Sequence, residues 1–488
     1  MKKRVVKLAA GVAALSMWAV APLAASAAGS WSTAVDVSSA GLSTSDPEIA
    51  IDADGVMTAV WSQVSNSGPT TSTTIQVSTS SDGQDWTEPV DVSPANHQAT
   101  NPHLVIDPFG RATVIWRNTS GTDSIWTSQR EWGATTWSTA YRLSVEAEET
   151  GQAQIVVDSN GVYTTIFNNQ DAHKIQVRTS DDGVTWDAIV TVAQELDSQY
   201  LGNPQIAVDG SGRVTGIWEA YDSDGDNKMI ASRSSTTPGM WTDATKLIGG
   251  DARNARIAST ESGLTTVTAL SDFSEVEIQS RSSQDGGAWT TAVGHGTGDG
   301  ARPNVSLVGS NTVVVTWHND ADNGLYASSS ENGVEWTTNQ LIESESVAPY
   351  GVDRTNRAKI YADSSGQLTA VWMRDYDLDT DNQRSRVTAS TSADGVTWTE
   401  PIELAGNSSF SVNLVVNSDC RVTALFELSN DTGNTVQSRT LDHGGCSASG
   451  GGSEELADTG TNDGVNALAV LAVAGIIAAV AIRRRARV

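Results

Sequence analysis

Cysteine is nearly missing from this chain of 488 residues, which holds two, Cys420 and Cys446. That excludes a disulfide-framework fold and any Cys-ligated zinc or iron–sulfur site. Basic residues are scarce as well, 30 Lys and Arg against 58 Asp and Glu. A formal charge of −28 excludes nucleic acid as a partner, because nucleic acid requires a basic surface. Histidine is rare, and only His97 and His103 stand near each other, so no metal-ligand spacing arises from it. Leu, Met and Phe are thin, whereas Ser, Thr, Gly and Val dominate beside sixteen Trp. That balance predicts many short strands joined by turns.

The two ends read as addresses. Lys2, Lys3, Arg4 and Lys7 precede an apolar run from Leu8 to about Leu23 and the small-residue site Ala25-Ser26-Ala27. This predicts a secretory signal peptide over 1–27. At the other end stand Leu456-Ala457-Asp458-Thr459-Gly460, an apolar stretch over 465–482, and Arg483, Arg484, Arg485 and Arg487 in a basic tail, 483–488. Eighteen residues at 1.5 Å each span about 27 Å, enough for a bilayer core, and the Arg cluster holds that end in the cytoplasm. The arrangement resembles the sorting signal of sortase-anchored surface proteins of Gram-positive bacteria. Ala457 stands where that family usually has Pro, a variant similar to the signals of high-GC actinobacteria. The resemblance implies cleavage after Thr459 and attachment of Thr459 to peptidoglycan, leaving the chain on the cell wall. Eight of the 30 basic residues and one acid, Asp463, lie in the two ends, so 28–459 carries a net −35.

Between them lies an internal repeat. Trp86, Trp137, Trp186, Trp241, Trp289, Trp336 and Trp398 recur about every 52 residues. An aliphatic residue, a turn residue six positions on and, except at Ala269 of Ile257-Gly263-Ala269, an aromatic six further on precede each, as in Ile49-Gly55-Trp61, Leu104-Gly110-Trp116 and Ile206-Gly212-Trp218. Eight copies are present, the last as Leu414-Cys420-Phe426. Each unit divides into four strands, a to d, with Asp and Gly supplying the tight turns and the Trp opening strand d. Four antiparallel strands in about 50 residues, repeated, predict a β-propeller. The eighth unit lacks a Trp-bearing strand d, and Trp31 to Ser38 parallels Trp86 to Ser93. The expected fold is therefore all-β: one eight-bladed β-propeller over 28–446, closed by the N-terminal strand, followed by a Gly/Ser/Glu linker over 447–455. Closure removes the exposed sheet edges of an open array. Cys420 and Cys446 both fall in the last unit, and in a secreted chain they are expected to form a disulfide.

Turns such as Thr179-Ser180-Asp181-Asp182-Gly183-Val184-Thr185-Trp186 resemble the Asp box, Ser/Thr-x-Asp-x-Gly-x-x-Trp, of sialidase-like (BNR-repeat) propellers. Residues 179–186 fit it with Asp181, whereas the copies at 79–86 and 391–398 have the Asp one place late. The resemblance implies that these boxes lie on the face opposite the active site. Sialidases of that family have six blades, three Arg that grip the substrate carboxylate, a Tyr–Glu nucleophile pair and an Asp acid/base. The Arg-Ile-Pro opening of their first blade is replaced here by Asp46-Pro47-Glu48.

Candidate site residues come from what differs between units, in the d–a and b–c loops, which share one face. Arg256, Arg302 and Arg357 begin strand a of three successive units, and Arg suits bidentate capture of carboxylate or sulfate. Pairing with the abundant acids is the alternative. Alternating acids in b–c loops, Asp222, Asp224 and Asp226, then Asp375, Asp377, Asp379 and Asp381, are candidate oxygen ligands for Ca²⁺ or a solvated acidic surface. Tyr350 and Tyr376 flank the Arg357 unit and offer flat faces for sugar rings. The reading is a wall-anchored binding protein for glycans or host or polymer surfaces; the alternative is an exo-sialidase or other glycoside hydrolase acting on acidic sugars. A Tyr–Glu pair, or two close carboxylates beside the Arg cluster, distinguishes the second.

Overall fold

The computed structural model describes residues 29–442 apart from 40–41, 66–71, 147, 195–199, 222–228, 238, 250, 272–276, 298–299, 320–321, 323, 345–357, 377–383, 407–408 and 431–432; beyond Asp442 it describes only 461–462 and 464–465, a two-residue pairing. The signal segment, linker, sorting motif, the apolar tail after Val465 and Cys446 lie outside these residues.

Eight four-stranded antiparallel sheets follow one another. The first seven blades run Thr44–Asp91, Ala99–Arg142, Thr150–Gln194, Tyr200–Ile248, Arg253–Thr297, Gly300–Ser344 and Lys359–Ala405. The eighth takes three strands from Ser409–Asp442 and its outermost strand, Val35–Asp36, from the N-terminus. Val35 pairs with Ser438 and Asp36 with Gln437, and the bridge Trp31–Leu441 extends the clasp. The eight-bladed, N-terminally closed architecture expected from the repeat is what the chain forms.

The a–b hairpins share one device. Asp52 accepts the N–H groups of Asp54 (3.0 Å) and Val56 (2.8 Å), while Gly55 takes φ +80°. Asp107, Asp158, Asp209, Asp363 and Asn417 repeat it. A side-chain carbonyl here substitutes for a ladder partner, and glycine supplies the left-handed residue. Cys420 occupies the glycine place in the eighth blade at φ 61°.

In the c–d turns the capping residue differs from the expected register. Asp182, not Asp181, accepts the N–H groups of Val184 (2.8 Å) and Thr185 (2.6 Å), and Ser180 Oγ accepts that of Gly183. The same Ser-x-Asp/Asn-Gly arrangement recurs at Ser80–Gly83, Ser330–Gly333 and Ser392–Gly395. An Asx turn must start two residues before the N–H that it accepts, so the Asp adjoining Gly is the one that fits. Strand d also departs from expectation. Pairing starts at Val90 rather than Trp86, because the Trp is drawn across to the preceding blade. Trp86 Nε1 donates to Ser438 Oγ at 2.9 Å and packs against the cluster of Val415, Leu425 and Val436.

Both kinds of tight turn lie at one end of the ring, here the turn face; the d–a and b–c loops form the opposite loop face.

Candidate functional site at the inner ring

The innermost strand of every blade presents an unpaired edge to the central channel, and such an edge needs hydrogen-bond partners. The sequence provides them at one repeated position, the residue immediately before the aliphatic that opens each unit's signature. Glu48, His103, Gln154, Gln205, Arg256, Asn304, Lys359 and Asn413 occupy it, and all eight are buried.

Most reach across to the next blade. Glu48 accepts the N–H of Leu104 (2.9 Å) and pairs with His103 Nδ1 (2.8 Å). Gln154 accepts the N–H of Ile206 (3.1 Å). Gln205 donates to the carbonyl of Ala255 (2.5 Å), Asn304 to that of Ala358 (3.1 Å), and Lys359 to Asn413 Oδ1. Asn413 closes the circle by donating to the carbonyl of Pro47 at 2.6 Å.

A bulge near the top of strand a sets the position. Register shifts fall between Ser45 and Glu48, Thr100 and His103, Gly202 and Gln205, and Arg253 and Arg256. Asp46, Asn101, Asn203 and Asn254 sit in the bulge at φ 47–55°, a conformation that Asn and Asp tolerate better than other side chains.

Arg256 departs from this pattern. It is 5% exposed, and its Nη1 donates back to the carbonyl of its own neighbour Ala255 at 2.5 Å. Its Nε has no partner, and no described carboxylate pairs with it. On either side, Gln205 Oε1 and Asn304 Oδ1 are buried without partners. Three successive blades thus hold an unsatisfied donor on a cation between two unsatisfied acceptors. Leaving a charge buried and unpaired costs several kcal/mol, of order 3–5.

The other candidates lie differently. Arg302 is two positions before Asn304, on the strand that starts at Gly300, and only its backbone is described. The same holds for Asp375 and Tyr376 at the end of Leu368–Tyr376. Arg357, Tyr350, Asp222, Asp224, Asp226, Asp377, Asp379 and Asp381 lie outside the described residues. Among the described residues no group of three His, Cys, Asp or Glu is placed to hold a metal. Asp322, also in a b–c loop, is engaged by the N–H of Gly324 (3.0 Å) and the hydroxyl of Tyr326 (2.6 Å). His97 stacks edge-on against Trp126 at 4.5 Å, and burial lowers its pKa.

Two features bear on hydrolysis. Burial and the charge of Glu219 raise the pKa of Tyr200 against the opposing pull of Arg117 and Asn168, but Glu219 already accepts from Asn203 Nδ2 (2.7 Å) and the N–H of Asn254 (2.8 Å). A carboxylate so committed is a poor general base. Across the ring, burial and the charge of Asp46 push Glu427 up to about 8, so it is protonated at neutral pH. The folded pKa lies above the ordinary 4.5, so this group's contribution is fully present below that value. It is lost as pH rises through about 8, on the order of 1 kcal/mol per pH unit. Glu427→Gln is expected to flatten the decline of the thermal midpoint over that window; an unchanged profile removes the assignment.

No protein-family model matches the chain, and no curated protein matches it. Solved structures similar in fold include a lectin from Burkholderia pseudomallei, 13% identical, covering 76% of this chain and 100% of the lectin at a TM-score of 0.48. An ulvan lyase is 11% identical, covering 74% of this chain and 94% of its own at 0.45. A Hadza microbial sialidase is 13% identical, covering 83% of this chain and 94% of its own at 0.37. At such values the likenesses carry no argument about ligand or activity.

Proposed function

We propose that the protein is a surface-displayed glycan-binding propeller whose channel, at the arc of blades 4 to 6, takes an acidic sugar. The supporting observation is Arg256, a buried cation whose free Nε stands between two blades that carry unfilled amide oxygens. A carboxylate or sulfate neutralises the guanidinium, and neighbouring hydroxyls donate to Gln205 and Asn304. In this reading Arg302, on the first strand of the next blade, and Arg357, two positions before Lys359 in the sequence, add to the same field. Tyr350 and Tyr376 stack on the sugar in this reading, and the b–c acids Asp375, Asp377, Asp379 and Asp381 hold Ca²⁺ near the mouth. A glycan array on residues 28–446, with and without Ca²⁺, tests it; binding restricted to carboxylated or sulfated sugars is expected, and indifference to sugar charge removes it.

Hydrolysis of the same sugars is the second reading, favoured by Glu427, which carries a proton at neutral pH beside the charge of Asp46. Detection of released sugar on the same array separates the two.

The display itself is part of the proposal: export through residues 1–27, sortase attachment through Thr459 to peptidoglycan, and a Cys420–Cys446 disulfide pinning the last blade. Thr459→Ala is expected to move the protein from the wall fraction to membrane or medium. Unreduced peptide mapping should recover Cys420 and Cys446 in one linked species.

A further inference from the structure

The turn face of the second blade breaks the rules its neighbours keep. At the third residue of the a–b hairpin the other blades with this turn place Asp54, Asn160, Ser211, Ser262, Ser365 and Asp419, whereas blade 2 places Phe109. In the c–d turn, where four other blades place a capping Asp and one Asn332, blade 2 has Trp132 and one extra residue before Trp137. Phe109 is 58% exposed and Trp132 62% exposed. Replacing one turn cap and one polar turn residue with two exposed aromatics in one blade lacks a folding rationale, because neither ring enters the core.

Both rings are nonetheless held. Trp132 lies against Gly110, where a Cβ would come within 2.4 Å of its ring, and its Nε1 donates to Asp54 Oδ2 of blade 1 at 3.1 Å. Phe109 extends the other way, over Gly161 of blade 3, where a Cβ would come within 2.7 Å. The Arg111 guanidinium, fixed by Asp107 at 2.5 Å, sits 5.4 Å from the Phe109 ring centre. The result is a row of two oriented aromatic faces across three blades, bordered by Asp54 and Arg111.

We propose that Trp132 and Phe109 form a second saccharide site, on the turn face, for a chain of pyranose sugars. Isolated rigid rings in polar surroundings suit a sugar, which offers an apolar C–H face to stack and a hydroxyl edge for the bordering charges. A protein partner would require a larger continuous apolar patch. The ends of the ring point the same way: the chain leaves it at Asp442 on this face, with 46 residues following. The site does not depend on the acidic-sugar reading of the channel.

The test uses the closed ring, residues 28–446, titrated with N-acetylglucosamine hexamer, with cellohexaose and with insoluble peptidoglycan. Binding of at least one is expected. Trp132→Ala and Phe109→Ser should each weaken it tenfold or more while the thermal midpoint stays within about 2 °C, since exposed positions contribute little to stability. Arg256→Met should leave this binding intact, which separates the site from the channel. The proposal is overturned if none of the three probes binds, or if both variants bind like the parent. It is equally overturned if Trp132→Ala merely converts a dimer into a monomer in sedimentation.

Discussion

Arg256→Met is expected to make the protein more stable and a worse binder at once. Met has similar length and no charge, and replacing a buried ionic group with a well-packed apolar one is commonly neutral or stabilising by about 1–4 kcal/mol. Here the gain should lie in the upper half of that range, since no described carboxylate offsets the charge. The binding side runs opposite. A charge-assisted hydrogen bond contributes about 1.5–3 kcal/mol, so affinity for an acidic glycan should fall roughly ten- to hundredfold. A melting curve and a titration on one sample read both signs. If the variant melts lower, Arg256 has a structural partner; if affinity is unchanged, the ligand does not use the guanidinium.

Deleting residues 28–38 should have the largest effect on folding. The deletion removes a fully buried Val37 and the partly buried Trp31 that packs on the last core cluster. It also removes backbone bonds from Ser32 to Thr440 and from Val37 to Val436, each 2.8 Å, and the bond from Val436 N–H to Ser38 Oγ, 2.9 Å. Together these are worth on the order of 5 kcal/mol. The edge of Gly433–Asp442 would then be bare, which invites association with other chains. Loss of a single cooperative transition, with aggregation, is expected in calorimetry and light scattering. A ring that melts like the parent would show that the clasp is dispensable.

The blades and their closure were legible because the repeat is long and its turns need particular residues: Asp52 and Gly55, or Ser180 and Gly183, have few substitutes. The capping Asp was misplaced by one residue because Asp181 and Asp182 are adjacent, and only the backbone geometry shows which carboxylate meets Thr185 N–H. The inner ring left an equally regular signal, a polar residue before the aliphatic in all eight units. Alternation in a strand ordinarily predicts that such residues face water. Closing the circle instead turns that face against the next blade, so Glu48 and Asn413 are buried by residues 50 or more positions away. Arg256 was noticed as a cation, but its burial belongs to the assembled ring. The Arg357 and Tyr350 neighbourhood lies in a d–a loop, where no repeat constrains the path.

The position of the last strand has a mechanical consequence. Gly433–Asp442 lies between Arg421–Asn430 on one side and Val35–Asp36 on the other, and the chain continues from its turn-face end. Tension on the C-terminal segment is therefore directed along this strand. It loads the whole ladder from Arg421–Asp442 to Asn430–Gly433 in shear instead of peeling one bond at a time. Resistance to such a pull is set by an unfolding rate rather than by equilibrium stability. A ring pulled through a strand that is paired on both sides, with its first residues serving as the latch, would stay shut under drag.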